Sequence, residues 1–289
     1  MEANYFVGIG AAKSGTSWLA DYLSGHPDVA MSPIKELHYF DARYCPEFCG
    51  HWDKEWAAVR DKLKARSLTD QSEELKEKLR CVTLRLEMIQ QPQKYKQYFD
   101  ALVTDSHRAY GEITPSYSLL PVSGFAAIKA LYPDAKFVFL MRDPVDRYLS
   151  QIKFIQRLRS VQGKQPLAGF DANDKALDLL SNPEYVNRGD YRRTIEALLE
   201  VAGEDDVCVL FYEHLFAASS QEHELRKLCE FLSVPFRPAD ISTRINAGDV
   251  LQFDDEVKVA IRTHFASTYD FVEEKYSKRA PESWRWNSA

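Results

Sequence analysis

The segment that most constrains this chain is Gly10-Ala11-Ala12-Lys13-Ser14-Gly15-Thr16-Ser17. An apolar, strand-like run at residues 5–9 precedes it. Trp18, Leu19, Tyr22 and Leu23 recur at helical spacing after it, until Gly25-His26-Pro27 stops the helix. Strand, glycine-containing loop and helix in that order bring backbone N–H groups and a helix N-terminus to one point, which suits an anion. A nucleoside triphosphate loop would read GxxxxGK[ST], with lysine directly after the second glycine and a hydroxyl residue for magnesium. Here Lys13 stands two residues before Gly15, so the loop predicts a phosphate cradle of another kind.

Further short runs rich in Val, Ile, Phe and Tyr recur at residues 28–31, 109–112, 136–141 and 207–212, separated by stretches of helical period. The pattern predicts an α/β fold, a P-loop-type parallel sheet with helices on both faces. Between about 43 and 108 the chain is crowded with charge, and Leu75, Leu79, Val82 and Leu86 recur every three or four positions. This predicts a helical insertion over the sheet, leaving residues 1–289 one domain. Asp143-Pro144 reads as a helix start, and further helices are expected over residues 172–180, 190–201, 220–232 and 254–276.

Of the 289 residues, 45% are hydrophobic and 28% charged, enough apolar material for one large core. A net charge of -6 argues against nucleic acid as a partner. The five cysteines are odd in number and lack the spacing of a zinc site. Reduced thiols are expected, with a Cys45–Cys49 bridge as the alternative. No basic leader and no run of roughly 18 apolar residues is present, so a cytoplasmic location without membrane association is the expectation. The sequence is silent on oligomeric state.

The strand at 136–141 ends in Arg142 where a kinase of this architecture would place a metal-binding carboxylate, and Asp143 reads more easily as a helix cap. A cation thus takes the metal ligand's place. Where the transferred group carries less charge than a phosphoryl group, lysine and backbone donors can steady the leaving phosphate without a metal.

With Lys13-Ser14-Gly15-Thr16, Lys35-Glu36-Leu37-His38-Tyr39-Phe40-Asp41, Glu112-Ile113-Thr114-Pro115-Ser116-Tyr117, and Arg142-Asp143-Pro144 followed by Ser150, the chain resembles the sulfotransferases that use 3'-phosphoadenosine 5'-phosphosulfate (PAPS). The likeness is to the carbohydrate branch that includes the heparan sulfate enzymes, and to related bacterial proteins. It implies that Lys13, Ser14, Gly15, Thr16 and Ser17 bind the 5'-phosphosulfate, with Lys13 also steadying the bridging oxygen, and that the adjoining Trp18 belongs to the cofactor-binding set. Arg142 and Ser150 would hold the 3'-phosphate of PAPS and of its product, adenosine 3',5'-bisphosphate (PAP). Glu36 matches the general base, a role His38 could share; a structural, hydrogen-bonded His38 is the alternative. Tyr191 or Arg188 would approach the nucleotide, unless Gly189-Asp190 simply caps a helix.

Two departures bear on the acceptor. The carbohydrate enzymes carry lysine where this chain has Ile113, which puts a highly sulfated polysaccharide in doubt. Their lysine- and glycine-rich closing loop has only a weak counterpart in Ile245-Asn246-Ala247-Gly248. The expected acceptor is a hydroxyl on a small molecule, a glycan or a carrier-bound acyl chain. A P-loop kinase and a non-catalytic nucleotide-binding protein are the competing readings. Trp284 and Trp286 would either wall the acceptor or pack the terminus.

Overall fold

A computed structural model describes residues 3–161, 171–239 and 252–285. Its centre is a sheet of five parallel strands: β1 (Asn4–Gly10), β2 (Val29–Met31), β3 (Ala109–Ile113), β4 (Lys136–Met141) and β5 (Val207–Phe211), in the order β2-β3-β1-β4-β5. β1 and β4 are buried along nearly their whole length. Both faces of the sheet are covered, which is why these strands read as continuous apolar runs without alternation.

The side chains divide by parity. Tyr5, Val7 and Ile9 of β1 join Phe137, Phe139 and Met141 of β4 in the larger core. Phe6, Val138, Leu140 and Leu210 face the other way, onto Trp18, Leu19 and Leu23 of α1 (Thr16–Ser24) and onto Leu225 and Leu228 of the helix Gln221–Phe231. The larger core also takes the insertion, whose main helices are α2 (Trp52–Arg66), α3 (Glu73–Glu87) and α4 (Gln93–Asp100). α3 and α4 bury Cys81, Val82, Tyr95, Tyr98 and Phe99 there. α2 buries no residue fully, in keeping with its charge.

β1 lies between β3 and β4, so the chain winds to one side of β1 first and to the other side afterwards. The carboxyl ends of strands at such a switch point frame the crevice in which α/β sheets bind ligands. The Gly10–Ser17 loop leaves β1 at that edge, Thr114 follows β3, and Arg142 follows β4.

The expected strands all form, within a residue or two at their ends. The helix expected over 254–276 is two helices, Asp255–His264 and Ala266–Tyr276. Phe265 breaks it, leaving the helical region at ψ 15° with its ring 3% exposed. A Cβ at Gly189 would stand 2.8 Å from that ring, so close packing against Gly189 overrides the local preference. Asp143 caps α5 (Pro144–Val161), its Oδ1 accepting from the N–H groups of Val145 and Asp146 at 2.9 and 3.1 Å. All five cysteines are free and buried. Among the described residues, no helix is long and apolar enough to cross a membrane. Ile245-Asn246-Ala247-Gly248 and Trp286 lie outside the described residues.

Candidate active site

The loop after β1 is shaped by backbone conformations that few residues adopt. Gly15, the N-cap of α1, has φ 87°, and a Cβ there would come within 2.7 Å of the Phe216 ring; both facts require glycine. No side chain caps the helix, so its first amides keep their donors for another acceptor. Lys13 has φ 72°, an uncommon state for a long side chain. The Ser14 hydroxyl is fully buried and has no partner among the described residues, a donor in want of an acceptor. Thr16 is nearly buried, and Ser17 Oγ accepts from Lys35 Nζ at 2.7 Å. Trp18 turns away into the smaller core, stacked on Tyr22 at 5.7 Å and edge-on to Phe216 at 5.1 Å.

Lys13 Nζ sits 3.7 Å above the Phe154 ring. Burial first, then the nearby cations Lys35, Arg142 and Arg157, lower its pKa to about 8, while Glu36 pulls the other way. Three basic groups and one carboxylate therefore act on one ammonium.

Arg142 donates from Nη1 to the Lys13 carbonyl at 3.1 Å and lies 4.6 Å from the Tyr212 ring centre. Its Nε is buried without a partner among the described residues, and the Asp146 carboxylate is only at the 4.0 Å limit of an ion pair. Arg142 is thus tied to the Gly10–Ser17 loop more firmly than to the salt bridge its spacing suggests. Tyr191 is fully buried, and its hydroxyl donates to the Arg142 carbonyl at 2.6 Å. It holds the backbone that carries Arg142. Ser150 lies on the second turn of α5. Asp190 caps the helix Tyr191–Leu199 by accepting from Arg193 N–H at 3.0 Å, while Arg188 pairs with Glu184 at 3.6 Å. Trp284 is 3% exposed and packs near Tyr191.

The stretch from Lys35 to Asp41 forms the opposite wall. Glu36 Oε2 is 3.4 Å from His38 Nε2, and His38 Nδ1 is 2.7 Å from Asp41 Oδ2. Ser116 Oγ donates to the same Asp41 oxygen and lies 3.1 Å from His38 Nδ1. The imidazole is stacked on Trp52 at 3.7 Å and an 8° interplanar angle. Burial alone would depress the His38 pKa, yet the hydrogen bond to Asp41 and the approach of Glu36 outweigh it, and the net shift is upward. For Asp41, burial works upward and the His38 contact downward, and the contact wins. The three groups form a line: a buried carboxylate, an imidazole whose pKa is raised, and Glu36 about one-third exposed at the end. Among the described residues, no group of three or more His, Cys, Asp and Glu is arranged to hold a metal ion.

Behind this wall lies Glu112, fully buried at the end of β3. It accepts from Tyr95 Oη at 2.5 Å, Thr114 Oγ1 at 2.6 Å, Tyr117 Oη at 2.9 Å and Leu37 N–H at 3.3 Å. Burial pushes its carboxyl pKa up against the pull of these donors. Ile113, by contrast, is buried in the smaller core.

Sequence reasoning gave no role to Asp41, Ser116, Trp52 or Arg85. The spacing of Asp41, three residues beyond His38 at the start of a short helix, was the signal for the first. Ser116 falls within the Glu112–Tyr117 motif without a role of its own, and Trp52 and Arg85 come from separate segments that no local pattern marks.

Residues 6–238 match the sulfotransferase family, and the chain belongs to that family. A crystal structure of a sulfotransferase from Alicyclobacillus acidocaldarius superposes with a TM-score of 0.62 at 24% identity, covering 99% of this chain and all of that one; it shares the fold. The membrane-associated sulfotransferase kil1 of Dictyostelium discoideum is 28% identical over 152 residues, 52% of this chain. The match spans only 22% of that protein's length.

Proposed function

We propose that this protein transfers a sulfuryl group from PAPS to an acceptor hydroxyl, with Glu36 as the proton acceptor and Lys13 at the leaving phosphate. The observation that carries the reading is the meeting, at one sheet edge, of a cationic phosphate loop and the Glu36–His38–Asp41 line. Glu36 lies near enough to Lys13 to act on its charge. The Ser14 hydroxyl and the Arg142 Nε, both without a partner among the described residues, and the uncapped first turn of α1 suit an anion with several oxygens.

In the step itself the acceptor oxygen attacks sulfur, and the new S–O bond forms as the bond from sulfur to the bridging oxygen breaks. The acceptor proton passes to the Glu36 carboxylate. The electron pair of the broken bond stays on the phosphate oxygen of departing PAP, where Lys13 and the loop amides meet it. His38, held by Asp41, stands 3.4 Å from the Glu36 carboxylate and fixes its position before transfer. Arg142 and Ser150 take the 3'-phosphate, and Tyr191 serves by fixing Arg142. The kinase reading finds little support, because both oxygens of Asp143 are engaged, Oδ1 in capping α5 and Oδ2 by Tyr269 Oη at 2.9 Å.

The acceptor is best sought among neutral hydroxyl compounds, since buried Ile113 offers no cation. A panel of small alcohols, sugars and hydroxyl-bearing carrier-bound acyl chains covers the candidates.

The test is incubation with PAPS and a panel of such acceptors, with excess EDTA in a parallel series. The expected product carries one added sulfuryl group, at a rate EDTA leaves unchanged. Phosphate transfer from ATP that depends on magnesium, with no sulfated product, would overturn the proposal.

A further inference from the structure

Glu36 and His38 both have left-handed backbones, φ 59° and 50°. Such conformations persist in residues of this kind only when the surroundings impose them. Here the grip falls on the main chain between and just after the two residues. Leu37 N–H donates to Glu112 Oε2. The Leu37 carbonyl accepts from Arg85 Nε at 2.6 Å and from Trp56 Nε1 at 3.1 Å. The His38 carbonyl accepts from Arg85 Nη2 at 2.6 Å. The next two N–H groups, of Tyr39 and Phe40, point to Tyr117 Oη at 3.2 and 3.4 Å. The loop is therefore held from the sheet by Glu112 and Tyr117 and from the insertion by Arg85 and Trp56.

Arg85 is an expensive choice for that place. It is fully buried, its Nη1 has no partner among the described residues, and its ion-pair partner Asp53, at 2.8 Å, is itself 34% exposed. A guanidinium so placed costs free energy that an aliphatic side chain would avoid. The other positions of α3 that face the core, Leu75, Cys81 and Val82, are uncharged. What Arg85 supplies beyond packing is a planar fork that reaches two successive carbonyls at once, a geometry lysine cannot reproduce.

We infer that Arg85 is a positioning residue for sulfuryl transfer. From inside the insertion it locks the Leu37 and His38 carbonyls, and so fixes the direction of the Glu36 carboxylate and the His38 ring. The insertion is on this account part of the catalytic framework and not only a layer over the sheet. The inference rests on Glu36 being the proton acceptor, and its test keeps the two apart.

Arg85→Lys, Trp56→Phe and Glu36→Gln are made singly, and the first two also in the Glu36→Gln background, all in the full chain. The readouts are sulfate release from radiolabelled PAPS with water as acceptor, transfer to the best acceptor of the panel, and PAP affinity. Arg85→Lys is expected to lower kcat by about tenfold to a hundredfold, the size of effect that a shift near 1 Å in a reacting group produces. PAP affinity should stay within about twofold. In the Glu36→Gln background the same change should cost less than about threefold, because the group it aims is already disabled. Trp56→Phe, which removes one donor and keeps most of the ring, should show the same pattern at smaller size, and it carries the test should Arg85→Lys fold poorly. Equal losses with and without Glu36, a parallel fall in PAP affinity, or unchanged kcat in both variants would overturn the positioning role. A Glu36→Gln enzyme with near-normal turnover would instead remove the base assignment itself.

Discussion

The two walls of the candidate site are built in opposite ways. The phosphate loop is local: Lys13, Ser14, Gly15, Thr16 and Ser17 are consecutive, and strand β1 and helix α1 on either side fix their geometry. The wall carrying Glu36 is assembled from afar, with Ser116 and Glu112 arriving from around β3 and Arg85, Trp52 and Trp56 from the insertion. The first wall takes only supporting contacts from afar, Arg142 on the Lys13 carbonyl and Phe216 against Gly15. The second exists only when three separate segments are packed, so damage far from Glu36 in sequence should reach it. Donor binding and proton removal should therefore be separable by mutation.

Substitution in the first wall should give the largest loss. Lys13→Ala is expected to lower turnover by about a hundredfold to a thousandfold, in line with removing a preorganised donor from a developing oxyanion, while PAP affinity falls much less. Equal losses in both would reduce Lys13 to a binding residue. Glu36→Gln, in the second wall, should lower transfer by roughly a hundredfold and leave PAP affinity within a few-fold, since the amide keeps the shape but cannot take the proton. Near-normal turnover would move the base to His38. Arg142→Ala should act on recognition alone, cutting the preference for PAP over adenosine 5'-phosphate by about ten- to a hundredfold, the worth of a charge-assisted hydrogen bond. An unchanged preference would dissociate Arg142 from the 3'-phosphate.

The smallest effect is in the pH profile. With the Lys13 pKa lowered to about 8 by burial and neighbouring cations, the ammonium is charged below that pH and neutral above it. The value of kcat/KM for PAPS should decline as pH rises through about 8. Lys13→Arg, which keeps its charge throughout, should abolish that decline whatever it does to the maximum rate. A decline that survives the arginine substitution belongs to another group.

How much of this was legible in the sequence follows the same division. The strands, the loop after β1 and the capping role of Asp143 could be read because apolar runs, glycine placement and Asp-Pro spacing are local signals. The partnership of His38 with Asp41 was within reach, since they stand three residues apart. The Arg85 and Glu112 contacts were not, because they join residues 48 and 75 positions from Leu37. A charged residue on a charged helix gives no hint that it is buried. Trp18 and Tyr191 were expected at the nucleotide by resemblance. Trp18 faces the smaller core, and Tyr191 lies beneath Arg142. The break at Phe265 was hidden because its cause, the close approach to Gly189, lies far away in the chain.

The central claim is that the edge of β1 accepts a 3'-phosphorylated sulfuryl donor, not a triphosphate. Thermal unfolding with PAP and with ATP, each with magnesium and with EDTA, tests it most directly. A ligand present at about a hundred times its Kd stabilises the folded state by about 2.7 kcal/mol, enough to raise Tm by several degrees in a protein of this size. The account predicts a rise with PAP that is the same in magnesium and in EDTA, and little or none with ATP. A larger rise with ATP that requires magnesium would contradict it.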